Sequence, residues 1–312
     1  MGTRNGSTGD ADPRGSRRAG KKGLRGRRMS AQSIGQPCPM CGVSTSSSLF
    51  RVSGFTVHRC ANCGGGFVSP LPGASDLQML YDDEYGADYM SGPMHEQASA
   101  AARFTSVDQA LRSLVPHLLD RPDRRVLDVG CGSGRFLASL RDSGWTATGV
   151  EISPRLVEFA RQQLALDVEP VDFLRVQVGA RYDLVTMFHI IEHFADPIAA
   201  IRKACAMLRR GGALFVETPN FEGLGSRLTR SRWSSMIPPK HVVFFGPRSL
   251  RRLAEANGLR TLLCRTTMPP VVQSLERVPP VARPILEATY RASSFAGYGP
   301  EVQYLGVLEG QG

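Results

Sequence analysis

Two places in this chain carry residues whose types and spacing could do chemistry. The first is the stretch HIIEH, His189 to His193. Two imidazoles and a carboxylate this close can hold a divalent ion or take a proton from a reacting group. If one helix carried all five residues, the histidines would share a face, grip zinc and leave the glutamate to activate a bound water. At the end of a strand they would not share a face, and the stretch would border whatever binds at the sheet edge. The second place holds Cys38 and Cys41 in CPMC and Cys60 and Cys63 in CANC, with eighteen residues between the pairs. Two C-x-x-C knuckles at this separation match the four-thiolate zinc pattern. Each pair can lie on a tight turn, here followed by Gly42 and Gly64. Four thiolates close a tetrahedral site with no position open to water, so the metal is expected to be structural. Two disulfides are the alternative, which a reducing compartment disfavours.

The element that carries HIIEH follows from the periodicity of the chain. Between the knuckles, LFRVSGFTVHRC alternates as a short hairpin, which predicts a zinc ribbon. After the Pro/Gly-marked SPLPG comes a short helical piece with Tyr81, Tyr85 and Tyr89 four residues apart, able to pack or to roof a pocket. Phe104, Val107, Leu111, Leu114 and Leu118 step by three and four, predicting an amphipathic helix kinked by Pro116 and closed by Pro122. Then the chain alternates. RRVLDVG is a strand and SGRFLASLRDSG a helix; WTATGVE is a strand and SPRLVEFARQQL a helix with Ser153 as N-cap and Pro154 first. LDVEP and YDLVTMF are strands, the latter with Asp183 near its start. DPIAAIRKACAML is a helix capped by Asp196, and GGALFVETPN the next strand. A long connection, 221–245, contains Trp233 and is expected to cover the site. GPRSLRRLAEANG then reads as a helix, and LRTLLCRT and EVQYLGVLEG as strands. Such alternation predicts an α/β fold, a doubly wound sheet that binds ligands at the carboxyl ends of its strands. His189 stands where the fourth strand ends, and the next helix begins only at Asp196 and Pro197. The zinc-hydrolase reading of HIIEH therefore fails, and the stretch belongs to the binding edge.

VLDVGCGSGRFL follows the first of these strands and opens a helix. Gly130, Gly132 and Gly134 allow a sharp turn and close approach of a ligand to the backbone. A dinucleotide fingerprint would need glycine where Arg135 stands, and the carboxylate of Asp128 would repel a pyrophosphate. Asp128 suits a ligand bearing an ammonium and a sulfonium. Glu151 ends the second strand about 20 residues on, where an acid pairs with ribose hydroxyls.

At these residues the sequence resembles the class I S-adenosylmethionine-dependent methyltransferases. The resemblance runs from about Val115 to Leu308 and includes, in order, the glycine motif, the acid ending strand two, YDLVTMFHIIEHFADP and LRRGGALFVETPN. It implies a doubly wound, Rossmann-like methyltransferase sheet preceded by a small zinc ribbon. It also implies that Gly130, Gly132 and Gly134 line the methionine end of the cofactor, Glu151 holds the ribose, and Ile152 packs on the adenine. Asp172 would reach the adenine amino group with Phe173 beside it, and Phe188 and His189 would form the cofactor-facing edge of strand four. More narrowly, the ordered set from CPMCG to PPKHVVFFGPRSLRRLAEANG is similar to zinc-ribbon methyltransferases acting on small molecules, of the ubiquinone O-methyltransferase-like group. Those quinone enzymes have E-x-x-E-H at HIIEH and bind a divalent ion there; here His189 replaces the first glutamate. The expectation is methyl transfer to a small-molecule acceptor, oxygen first. His193 is the first candidate base and His241 the second, and Glu192 with His193 could alternatively hold a divalent ion. The expected divisions are 1–36 basic tail, 37–72 ribbon, 73–120 helical linker or cap, and 121–312 cofactor-binding domain.

Composition bounds the alternatives. Of 38 Lys/Arg and 28 Asp/Glu, nine and two lie in residues 1–30, leaving a nearly balanced body of 29 basic and 26 acidic residues. The Gly/Arg-rich tail has almost nothing apolar to bury and is expected to be disordered. A zinc-ribbon methyltransferase of ribosomal RNA is the second reading, and the near-neutral body without a basic–aromatic stripe weighs against it. A non-catalytic binding protein with a degenerate methyltransferase fold is the third, opposed by the intact Asp128, glycine turn and Glu151. No apolar run approaches the roughly 20 residues that span a bilayer, and the N-terminus lacks the apolar core of a secretory signal, so a cytoplasmic protein is expected.

Overall fold

The hairpin expected between the knuckles forms from β1 (Ser46–Val52) and β2 (Phe55–Cys60). Ser53 and Gly54 between them have φ of 49° and 86°, the left-handed pair whose twist suits a two-residue hairpin. The computed structural model describes residues 36–73, 93–179, 181–268 and 279–309. The basic tail and the tyrosine spacing at Tyr81, Tyr85 and Tyr89 lie outside them. β3 (Gly66–Ser69) adds to β2, and β9 (Val243–Phe244), from far along the chain, pairs antiparallel with β3. Two residues carry no readable alternation, so the fourth ribbon strand was not legible in the sequence.

The second sheet holds β4 (Arg125–Val129), β5 (Thr146–Glu151), β6 (Asp167–Pro170), β7 (Tyr182–Phe188), β8 (Leu208–Pro219), β10 (Leu259–Thr267) and β11 (Glu301–Leu308). Their order is β10-β11-β8-β7-β4-β5-β6. The five strands from β4 to β8 are parallel, and β11 runs antiparallel between β8 and β10. Every residue of β7 is buried, as a central parallel strand covered on both faces requires. The chain leaves β4 toward β5 on one side and returns for β7 on the other, which opens a crevice above the carboxyl end of β4.

The helices are α1 (Pro93–Leu114), α2 (Arg135–Asp142), α3 (Pro154–Leu164), α4 (Pro197–Met207), α5 (Leu224–Thr229), α6 (Pro247–Glu255) and α7 (Arg283–Phe295). Val107 and Leu111 of α1 share one apolar core with Phe136, Leu137 and Leu140 of α2 and with Phe215, Leu305 and Val307 of the sheet. The helix read in the sequence as part of a linker or cap thus packs into this core. Pro116 does not kink α1; the helix stops at Leu114 and Pro116 starts a separate 3₁₀ turn to Leu118, because a proline ring also restricts the residue before it. Ser153 holds the N-cap position of α3, but its side chain makes no cap bond and is buried; its amide instead donates to Glu151. Asp196 caps α4 as expected, accepting from the Ala199 amide at 2.9 Å. α7 has no counterpart in the sequence reading. Among the described residues no helix is long and apolar enough to cross a membrane.

Candidate active site

A cavity of about 340 Å³ opens at the carboxyl ends of β4, β5 and β7, in the size range of small-molecule sites. Gly130, Gly132, Glu151, Ile152, Asp172, Phe173, Phe188 and His189 all line it. Gly130 has φ of 69°, and a Cβ there would meet Ile190 Cδ1 at 2.8 Å. Two expected residues do not line the cavity. Gly134 is the left-handed N-cap of α2, and a Cβ on it would meet Leu166 at 2.5 Å and Ala160 at 3.2 Å. Its bareness lets α2 pack on α3 rather than admitting a ligand. Asp128 lies beneath the glycine turn, 4% exposed, and accepts the Thr186 hydroxyl at 2.7 Å. Burial pushes its carboxyl up to about 7.

The other acids are held by backbone. Glu151 accepts from the Gly132 and Ser153 amides, both at 2.9 Å. Asp172 accepts from the Leu174 amide at 2.9 Å and so starts the 3₁₀ turn that carries Phe173. Phe188 stacks on Phe215 at 5.5 Å, and the Arg103 guanidinium sits 5.1 Å from its ring centroid. Arg103 comes from α1 and lines the cavity. The sequence offered no sign of it, since an arginine on an amphipathic helix reads as solvated surface.

HIIEH is a strand end, one left-handed residue and a single turn. His189 has φ of 51° and donates its amide to the Glu217 carbonyl at 2.9 Å. Ile191 to His193 form a 3₁₀ turn. The two isoleucines part ways: Ile191 is fully buried, but Ile190 lines the cavity against Gly130. The left-handed residue before Ile190 turns it away from the core. The carboxylate of Glu192 is buried; Oε2 accepts the Thr218 hydroxyl at 2.9 Å, and Oε1 has no hydrogen-bond partner. His189 Nδ1 stands 3.7 Å and His241 Nε2 4.0 Å from that oxygen. His193 packs edge-on to His241, with ring centroids 4.7 Å apart. Glu192, His193 and His241 thus bring ligand atoms within 4.8 Å of one another.

Hydrogen bonds set the electronic state of this cluster. His241 Nδ1 lies 2.8 Å from the Ser235 carbonyl, which can only accept, so Nδ1 carries the hydrogen and Nε2 presents its lone pair. Burial lowers both His193, to about 3, and His241, so both rings are neutral at pH 7. Burial opposes the charge of His189, yet the carboxylates of Glu301, Glu192 and Glu217 around it raise it to about 10. Glu192, despite its burial, is held at about 2, chiefly by the charged His189 ring beside it. Glu217 is oriented from behind: Gln303 donates to it at 2.6 Å, and Arg265 donates to Gln303 at 3.0 Å and 3.1 Å. Gln303 and Arg265 lie on strands that meet Glu217 only through the antiparallel additions to the sheet.

The four ribbon cysteines converge at a separate place. Cys38 and Cys63 Sγ are 3.7 Å apart, and Cys41 and Cys60 Sγ 3.6 Å, with all four within 4.8 Å. A disulfide requires about 2.05 Å. A tetrahedron with metal–sulfur bonds of about 2.3 Å has edges of about 3.8 Å. The cluster has the dimensions of a metal site closed by four thiolates.

Comparisons with known proteins agree with this architecture. The family described as methyltransferase domain matches residues 101–263, more than half of the chain. A ubiquinone biosynthesis O-methyltransferase of Coxiella burnetii is 31% identical over 151 residues, covering 45% of this chain and 64% of the relative. The protein of the same name from Xanthomonas campestris is 36% identical over 106 residues, 32% of this chain and 44% of the relative. The chain therefore spans less than two thirds of the curated relatives it matches. The crystal structure of an S-adenosylmethionine-dependent methyltransferase from Thermotoga maritima superimposes with a TM-score of 0.51 at 19% identity, over 75% of this chain and all of that one. It shares the fold. The chain belongs to the methyltransferase domain family, in its class I S-adenosylmethionine-dependent form.

Proposed function

We propose that the protein transfers a methyl group to a hydroxyl of a small-molecule acceptor, with a neutral histidine rather than a metal ion receiving the proton. S-adenosylmethionine supplies an electrophilic methyl on a sulfonium. Glu151 binds the ribose, Asp172 and Phe173 the adenine end, and Arg103 is placed to pair with the methionine carboxylate. His193 lines the cavity and takes the acceptor proton; Glu192 and His241 stand behind it and stabilise the charge that develops.

One observation carries this reading: the Glu192 oxygen that accepts no hydrogen bond faces the His241 lone pair across 4.0 Å, with the charged His189 ring 3.7 Å to its side. Two acceptors at this separation need a donor or a cation between them. An oxygen about 2.8 Å from both would subtend roughly a right angle, as a hydroxyl or water readily does. Ligands of a zinc ion at about 2.1 Å stand nearer 3.4 Å apart in a tetrahedron, so a metal would need the cluster to contract. The name shared by the curated relatives supports oxygen as the methylated atom. The ribbon cysteines fit one structural zinc.

The test is incubation with methyl-labelled S-adenosylmethionine and a fractionated lysate, small molecules against RNA, with and without a chelator too weak to strip thiolate-bound zinc. Label in a small-molecule ether, unaffected by chelator, is the expected result. Loss of transfer on chelation, restored by magnesium, would replace the histidine with a metal mechanism. Label in RNA would overturn the substrate class.

Asp128 makes the cofactor half of the proposal testable by pH. Its carboxyl is raised to about 7 by burial, and a cationic ligand nearby favours the ionised form. Binding should therefore release a proton below about pH 7, and affinity should rise with pH, by at most about tenfold per unit, until it levels off above that pH. Calorimetry in two buffers of different ionisation enthalpy reads the proton directly. Identical heats at pH 6.5 would contradict a role for Asp128.

A further inference from the structure

We propose that the four-cysteine ribbon positions the acceptor side of the site, acting through β3 on His241 and on the main chain of Glu192, while the cofactor side stands independently. The inference rests on the roles given above to Glu192 and His241.

His241 sits on a segment that cannot hold itself. Between Ile237 and Val242 the only regular feature is a turn in which the Lys240 and His241 amides reach the Ile237 carbonyl at 2.9 Å and 3.4 Å. The two-residue β9 that follows is far too short to persist without a partner. Its partner is the ribbon: Phe67 pairs with Val243 and Gly66 with Phe244. A backbone relay then runs from ribbon to site. The Val68 amide donates to the Val242 carbonyl at 3.0 Å, and the Val242 amide donates to the Glu192 carbonyl at 3.0 Å. The residue beside His241 is therefore stitched between a ribbon strand and the turn that carries the buried carboxylate.

Two further clamps keep the ribbon in register with this segment. Arg59 of β2 pairs with Glu222 at 2.8 Å. In the second knuckle the Asn62 carbonyl accepts from Arg252 at 2.7 Å and Arg248 at 3.2 Å, both on α6. The knuckle that holds Cys60 and Cys63 is thus gripped by the helix that starts just after β9. By contrast Gly130, Glu151 and Asp172, on the cofactor side, follow β4, β5 and β6, and none of those strands pairs with the ribbon.

The experiment compares Val68→Pro, which removes the amide that donates to Val242, with Val68→Ala, which keeps it. Amide hydrogen exchange, ¹⁵N–¹H spectra of the histidine rings and calorimetry with S-adenosylmethionine are read on the metal-loaded full chain. In Val68→Pro the amides of 241–244 should exchange at least about tenfold faster, and the His241 ring should lose its single Nδ1–H tautomer. S-adenosylmethionine affinity should stay within about threefold. Val68→Ala should resemble the parent in all three. Unchanged exchange and an unchanged His241 signal in Val68→Pro would overturn the proposal, as would a parallel loss of cofactor affinity in a folded variant. Should Val68→Pro fail to fold, the double variant Arg59→Ala, Arg252→Ala decides in the same way: faster exchange at 241–244 supports the proposal and no change rejects it. These readouts need no acceptor, so they can fail while His241 still proves to act in transfer. Conversely, full turnover in His241→Ala would remove the functional role and leave the positioning result standing.

Discussion

Replacing His193 with alanine is expected to lower methyl transfer by about 10²–10⁴-fold while S-adenosylmethionine affinity stays within a few-fold. The imidazole is 5% exposed, lines the cavity and sits against His241 and Glu192. Its loss removes the group placed to receive the acceptor proton but none of the contacts proposed for ribose or adenine. Because burial lowers this histidine to about 3, it keeps its lone pair as pH falls. At saturating S-adenosylmethionine the acid limb of the rate profile should therefore not appear at the ordinary histidine value of about 6.5. Single-turnover rates with the acceptor identified by labelling, together with calorimetry for the cofactor, measure both halves. Near-normal turnover in the variant would leave HIIEH a packed histidine turn with no part in proton transfer.

The second large effect concerns stability, at the amino ends of the sheet's strands. Asp183 enters β7 fully buried and accepts from Arg121 at 2.7 Å, from the Arg125 amide at 2.8 Å and from Arg209 at 3.0 Å. It ties together the chain before β4, the start of β7 and the start of β8. Asp183→Ala leaves two arginines without their shared carboxylate and orphans the Arg125 amide. A loss of about 3–5 kcal/mol is expected, toward the lower end because both arginines can still reach water. Urea unfolding should show the midpoint fall with little change in slope. Asp183→Asn should cost less, since it retains an oxygen for the amide. Cofactor binding to the fraction still folded should be unaltered, as the site lies at the other ends of these strands.

Much of the fold and part of the site were legible in the sequence because the signals were local. The glycine turn declares itself because a sharp bend between strand and helix needs left-handed residues. The cysteine knuckles do so because four thiolates at two tight turns have few other uses. Asp196 and Pro197 mark the start of α4 in the same way, which is what separated HIIEH from a helix. Eight of the ten residues expected around the cofactor line the cavity. The two that do not line it share one cause: spacing along the chain places Asp128 and Gly134 beside the turn but does not say which side of the backbone faces the cavity. Asp128 lies below the turn, and Gly134 meets Leu166 and Ala160.

The chain's own order of residues thus specifies the alternation of strands and helices, the glycine turn and the cysteine knuckles, because each is decided by neighbours a few positions apart. What surrounds HIIEH is decided by long-range pairing. Glu217 reaches His189 because β8 lies beside β7; Gln303 and Arg265 orient it because β11 and β10 add in reverse at that edge. Arg103 enters the cavity because α1 packs across Phe188. His241 meets Glu192 from 49 positions away because β9 pairs with β3 and the Val242 amide before it donates to the Glu192 carbonyl. A two-residue strand and a surface-like arginine carry no periodicity, so only the packed structure gives them a place.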